Sequence, residues 1–194
     1  MFSYLALGDS YTIGEGVPLS DSYPYQTVQL LRRAGHEFLA PEIIARTGWT
    51  TGELIAATEG TRLLSRYDLV TLLIGANNQY RGHPAEEYGV GLETLLVRAL
   101  GLGKRVIVLS IPDWGVSPFA EAGPRDPKRI SREIDIFNAI ANNIARRHHL
   151  PFIDTTPHSR TAGSFVSDGL HPAADVYAFW ARQLARHIGD EPAQ

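Results

Sequence analysis

Apolar residues in this chain come in short unbroken blocks, and each block ends abruptly in glycine or polar residues. Tyr4-Leu5-Ala6-Leu7 is the first, and it stops at Gly8-Asp9-Ser10, as a buried strand running into a turn does. Ile43-Ile44-Ala45 repeats the pattern and leads into Arg46-Thr47-Gly48-Trp49-Thr50. Residues 68–74 are almost wholly apolar and end at Gly75-Ala76-Asn77-Asn78, which suits a strand covered on both faces. Residues 105–109 and 151–154 complete a set of five.

Between these blocks the period changes to that of a helix. A start at Ser22 and Pro24 puts Tyr25, Val28 and Leu30 or Leu31 on one face, with Gly35 as the stop. A helix from about Thr51 carries Leu54 and Ile55. Pro84 opens one with Tyr88, Leu92, Leu95 or Leu96 and Ala99 on a stripe, closed by Gly101 and Gly103. Residues 127–149 place Ile130, Ile134, Phe137, Ala141 and Ile144 together, and Pro172 begins a last helix with Val176, Phe179, Trp180 and Leu184. Two long loops remain, 111–126 with exposed-looking Trp114 and Phe119, and 155–168.

Strand and helix therefore alternate five times without a repeat or linker. Parallel strands need crossover helices, so the pattern predicts an α/β fold: a three-layer α/β/α sandwich with helices on both faces of a parallel sheet. Residues 1–194 read as a single domain, long enough to bury a core without staples. Ligands of such folds sit beyond the carboxyl ends of the strands.

Composition narrows the chemistry. The net charge of -3 gives no basic face for nucleic acid and no polybasic membrane anchor. There is no cysteine, which excludes disulfides, thiolate nucleophiles and cysteine-ligated zinc. No apolar run approaches the ~18 residues of a membrane helix, and no leader precedes Tyr4, so the expectation is a cytoplasmic protein acting on a small molecule. The sequence leaves oligomeric state open.

The residues just past each strand are Gly8-Asp9-Ser10, then Gly48, then Gly75 to Asn77, then the Trp114 loop, then Asp168 and His171. Ser10 is either a nucleophile or a hydroxyl that satisfies a turn. A serine nucleophile needs an adjacent base, which His171 supplies, placed at the mouth of the last helix by Pro172. Asp168, three residues earlier, can orient that ring, with Asp113 as a rival acid. The backbone N–H groups of Ser10 and Gly48 and the Asn77 amide can receive a developing oxyanion. Asp9 reads as an organiser of the loop. Trp49, Tyr80, Trp114 and Phe119 are candidates to line an acyl pocket or simply to cover the sheet edge.

Gly8-Asp9-Ser10, Gly48, Gly75-Ala76-Asn77-Asn78 and Asp168-Gly169-Leu170-His171-Pro172, in this order, resemble the four blocks of the SGNH (GDSL-type) hydrolases. The likeness spans residues 5–172. The segment 75–84, with the Arg81-Gly82 pair after the asparagine block, is most similar to the thioesterase/lysophospholipase and arylesterase branch. The resemblance implies a flavodoxin-like five-stranded sheet of order 2-1-3-4-5. It also implies Ser10, His171 and Asp168 as a triad, an oxyanion hole of Ser10, Gly48 and Asn77, and neither metal nor cofactor. One departure is Asn78, where the family usually carries aspartate. The expected function is a serine carboxylic-ester hydrolase for small to medium lipid or aryl esters; the alternative is a carbohydrate O-acetyl esterase. A non-catalytic binding module is a more distant reading. A metallophosphoesterase lacks its Asp-x-His pair here, and an α/β-hydrolase its Gly-x-Ser-x-Gly.

Overall fold

A computed structural model describes residues 1–189. Five strands, β1 (Tyr4–Asp9), β2 (Glu42–Arg46), β3 (Tyr67–Leu73), β4 (Gly103–Leu109) and β5 (Phe152–Ile153), form one parallel sheet of order β2-β1-β3-β4-β5. All six residues of β1 are buried, as are all but Asp68 in β3, because helices cover both faces of the sheet centre. β2 is an edge strand, and its side chains are half-buried or, at Arg46, exposed.

The connections are helical. They are α1 (Ser10–Ile13), α2 (Tyr23–Arg33), α3 (Thr51–Gly60), α4 (Ala76–Tyr80), α5 (Ala85–Leu102), α6 (Pro118–Ala122), α7 (Pro127–Arg147), α8 (Thr156–Ala162) and α9 (Ala174–Gly189). Right-handed crossovers assign them to layers. The chain steps from β1 to β2 in one direction and from β2 through β5 in the other. α2 and α9 therefore pack together on one face, and α3, α5 and α7 on the opposite face. The core is continuous through the sheet, with Leu5, Leu7, Leu54, Leu72, Leu92, Leu95, Ile107, Ile134 and Trp180 all fully buried.

Register brings the strand ends level. Gly8 lies opposite Ala45 on one side and Leu73 on the other, so Ser10, Thr47 and Gly75 leave the sheet at nearly the same height. Beyond β4, the Asn138 side chain of α7 bonds both the N–H and the C=O of Ile111 at 2.8 Å, which fixes where the next loop departs.

Two expectations need correction. The loops at 111–126 and 155–168 contain α6, α8 and a 3-10 turn at Trp114–Val116, and Trp114 is only 4% exposed. The last helix starts at Ala174, not at Pro172. Pro172 instead sits in an antiparallel bridge with Phe165, and the Ala173 N–H is taken by the Ser164 carbonyl.

Candidate active site

Ser10 opens a helix of a single turn. Asp9, with extended backbone, caps it by accepting from the Tyr11 N–H at 3.1 Å, and the Ser10 carbonyl accepts from Gly14 and Glu15 at the other end. The turn folds back so tightly that a Cβ on Gly8 would lie 2.0 Å from Thr12 Oγ1 and 2.4 Å from the Leu73 carbonyl oxygen. Only glycine fits there. Beneath the turn, Thr12 meets the Tyr23 hydroxyl, which joins Tyr4 on Thr71 in a buried hydroxyl chain. The turn that carries Ser10 thus stands at the carboxyl end of β1 on a buried polar footing.

Asp9 itself is fully buried, and desolvation pushes its carboxyl up to about 7 against the opposing bonds from the Tyr11 N–H and the Asn77 amide. The raised value means that the folded protein holds this proton more tightly than the unfolded chain. Its contribution to stability is therefore present in acid and declines as pH rises from about 4 to about 7, at ~1.4 kcal/mol per unit while the two states differ by one proton. We expect Asp9→Asn to gain melting temperature relative to wild type as pH is raised from 5 to 8. Parallel melting curves of the two proteins across that range would contradict this.

The imidazole comes from the loop before α9. Asp168 Oδ1 accepts the backbone N–H groups of Leu170 (2.8 Å) and His171 (3.0 Å), and Oδ2 lies 2.6 Å from His171 Nδ1. One carboxylate thus shapes the turn and orients the ring. Burial raises the Asp168 carboxyl, but these bonds outweigh it and hold the group below the ordinary carboxylate range. The bond at Nδ1 leaves Nε2 free to face the pocket. Tyr11 packs against the imidazole with centroids 5.5 Å apart. The rival acid, Asp113, is engaged elsewhere: its buried carboxylate pairs with Arg160 at 2.8 Å and accepts from the Gly115 N–H.

Asn77 lies on α4, where its Nδ2 donates to the Trp49 carbonyl at 3.0 Å and reaches Asp9 Oδ2 at 3.5 Å. Asn78 is buried and grips Thr51 twice at 3.0 Å, its Oδ1 accepting from the N–H and its Nδ2 donating to the hydroxyl. A carboxylate there would accept both bonds. The amide reverses the second and holds the loop without burying a charge.

A pocket of about 120 Å³ is lined by Ser10, Tyr11, Thr47, Gly48, Ala76, Asn77, Tyr80, Trp114, Leu170 and His171. Ser10, Gly48, Asn77 and His171, each following a different strand, meet on this one wall, and Asp168 stands behind His171. Of the four aromatic candidates, Tyr80 and Trp114 line the pocket, edge to face at 5.6 Å. Trp114 is buried because its indole N–H finds the Gln79 side-chain oxygen at 2.8 Å. Phe119 lies behind Trp114 at 6.3 Å and Trp49 packs on the core; neither forms the pocket wall. A larger cleft of about 530 Å³, with His83, Arg125 and Glu133 among its walls, contains none of the candidate residues. Sequence reasoning missed Tyr11, Thr47, Ala76 and Leu170, whose only signal is adjacency to a named residue.

Among the described residues no group of three His, Asp or Glu side chains is placed to hold a metal, and no helix is long and apolar enough to cross a membrane.

A sequence profile described as the GDSL-like Lipase/Acylhydrolase family matches residues 6–179. An arylesterase from Vibrio mimicus is 27% identical over 197 residues, covering 95% of this chain and 88% of that protein. The fold is similar to that of a lipase/acylhydrolase from Enterococcus faecalis, with a TM-score of 0.80 and 23% identity over the full length of both chains. It is also similar to Axe2, an acetylxylan esterase from Geobacillus stearothermophilus, with a TM-score of 0.74 and 23% identity over 98% of this chain and 95% of that one.

Proposed function

Since the chain belongs to the GDSL-like lipase/acylhydrolase family and is an ester hydrolase, we propose that it works through an acyl-enzyme on Ser10. The observation that carries this reading is the convergence of Ser10, Gly48, Asn77 and the Asp168-oriented His171 on one pocket.

In the first half-reaction Ser10 Oγ attacks the ester carbonyl while His171 Nε2 takes its proton. Negative charge gathers on the former carbonyl oxygen, where the N–H groups of Ser10 and Gly48 receive it together with the second N–H of Asn77, which exchanges its long 3.5 Å contact to Asp9 for the oxyanion. Collapse returns that proton to the leaving alcohol and leaves Ser10 acylated. Water then attacks the acyl carbonyl with His171 again as base, releasing the carboxylic acid and restoring the serine. Asp168 holds the imidazole with its proton on Nδ1 throughout, so that Nε2 begins each half-reaction as an acceptor.

The substrate class follows from the size of the recess. A pocket of about 120 Å³ walled by Tyr80 and Trp114 suits a short to medium acyl group of an aryl or lipid ester. A second reading, removal of an O-acetyl group from a carbohydrate, is favoured by the same small volume. We expect kcat/KM on p-nitrophenyl esters to fall at least about tenfold between butyrate and decanoate, since the longer chain must leave the pocket. A flat series contradicts the size argument. Turnover of an acetylated xylo-oligosaccharide well above that of p-nitrophenyl acetate replaces the first reading by the second, and inertness toward every ester refutes both.

A further inference from the structure

The two oxyanion donors outside the Ser10 turn follow β2 and β3, which are not neighbours. They flank β1, so no ladder of hydrogen bonds sets their spacing, and neighbouring strands are each about 4.8 Å apart. Something other than the sheet must hold Gly48 and Asn77 on one substrate oxygen.

The loop after β2 turns sharply, with the Trp49 N–H bonded to the Arg46 carbonyl at 3.2 Å and Gly48 at φ +86. Three side chains of the α4 segment grip this turn and the start of α3. Asn77 takes the Trp49 carbonyl, Asn78 takes Thr51, and Arg81 Nη2 donates to the Gly48 carbonyl at 2.5 Å. Asn77 on α4 and Arg81 at its C-cap, still in helical backbone, are four apart, so they project from the same face and hold two successive carbonyls.

Arg81 has a second partner. Its Nη1 lies 3.3 Å from Glu53 Oε2, and that carboxylate is fixed by the Thr50 N–H (2.7 Å) and hydroxyl (2.9 Å) in the capping box of α3. The guanidinium is therefore set in direction by a helix cap, and its other arm closes on the Gly48–Trp49 peptide, the one that follows the peptide carrying the Gly48 N–H, so the turn cannot roll about Gly48 without breaking this bond. This accounts for the Arg81-Gly82 pair that the triad leaves unused, with Gly82, at φ +74, ending the segment.

We infer that Arg81, braced by Glu53, is a positioning residue that fixes the Gly48 turn against α4 and so sets the spacing of the oxyanion donors. The inference rests on the acyl-enzyme reading above.

The test compares wild type with Arg81→Met, Arg81→Lys and Glu53→Gln on p-nitrophenyl acetate and on a trifluoromethyl ketone, whose tetrahedral adduct with serine needs the oxyanion donors. Arg81→Met is expected to lower kcat roughly 30- to 100-fold, because a donor displaced by about 1 Å loses much of its value. KM should stay within about threefold, and affinity for the ketone should fall by the same factor as kcat/KM. Arg81→Lys keeps one donor and should recover to within about tenfold of wild type, while Glu53→Gln should lose roughly three- to tenfold in kcat. A purely structural arginine would instead lower melting temperature and the yield of folded enzyme while leaving ketone affinity and kcat per folded molecule intact.

Arg81→Met with kcat within about threefold of wild type, or with its whole loss in KM, overturns the assignment. If Arg81→Met does not fold, the lysine and glutamine variants carry the test, and unchanged kcat and ketone affinity in both overturns it equally. A wild type inert toward all esters defeats the acyl-enzyme reading itself; an active wild type indifferent to Arg81 defeats only this inference.

Discussion

Ser10→Ala is expected to reduce turnover of p-nitrophenyl acetate by about 10⁴- to 10⁶-fold, the largest effect of any single substitution in this protein. The removed Oγ is the atom that bonds to the acyl carbon. His171 and the oxyanion donors remain, and they can assist only a slow direct attack by water. Folding should be nearly indifferent to the change. The Ser10 carbonyl, not its side chain, accepts from Gly14 and Glu15, and Asp9 supplies the cap, so the turn keeps every bond that holds it. Melting temperature is expected to change by no more than the equivalent of about 0.5 kcal/mol. The measurement pairs steady-state rates with mass spectrometry after a p-nitrophenyl phosphonate. Wild type should gain one phosphonyl group on Ser10, and the variant none. A variant that keeps more than about a tenth of its activity would remove Ser10 from the reaction.

The strands were legible in the sequence because β1, β3 and residues 106–109 of β4 are buried on both faces and read as nearly continuous apolar runs. The long helices were legible because one face of each meets the sheet, and α7 shows this most plainly, with Ile130, Ile134, Phe137, Ala141 and Ile144 all buried as expected. The sheet order came from family resemblance and agrees with the structure. The short elements were not legible. α1, α4, α6 and α8 have between four and seven residues, too few for a hydrophobic period, and they exist through local caps and tertiary packing. Asp9 at α1 and Ser117 at α6 are such caps. Pro172 misled for a similar reason: a proline before a helical stripe usually marks its first turn, but here the chain first pairs with residues 164–165.

The candidate site was legible to the extent that its chemistry lies in residue type at strand ends. Serine, histidine and aspartate announce themselves, and the topology predicts that strand ends meet. What holds them in place was hidden, since it depends on loops far apart in sequence. Nothing near residue 81 suggests that its guanidinium reaches the carbonyl of residue 48. The indole of Trp114 reads as exposed in a proline-rich loop until the Gln79 side chain that accepts the hydrogen bond of its N–H is known. The substitution at residue 78 has the same character. Read alone, an amide in place of a carboxylate unsettles the loop, but the Thr51 N–H and hydroxyl accommodate either group by rotation of one O–H bond.

Asp168→Asn is the second substitution with a large expected effect, and the geometry dictates its sign. Asp168 Oδ1 accepts two backbone N–H groups, so an amide at this position must keep its oxygen there and turn its NH₂ toward His171. An NH₂ donor 2.6 Å from Nδ1 in the parent geometry forces that nitrogen to become the acceptor and moves the imidazole proton to Nε2. The ring is then in the correct place with the wrong nitrogen protonated, and it cannot take the proton of Ser10. Turnover should fall about 10³- to 10⁴-fold, towards the lower figure because the Asp168 side chain is 44% exposed and solvent can partly replace its charge. Stability should change little, since both backbone bonds to Oδ1 survive. Nitrogen chemical shifts of labelled His171 read the tautomer directly: the proton belongs on Nδ1 in wild type and on Nε2 in the variant. Loss of activity with the tautomer unchanged would show that Asp168 acts by its charge alone. Activity above about a tenth of wild type would instead require another acid to orient the ring, and Asp113 is poorly placed for that role while its buried carboxylate is held by Arg160.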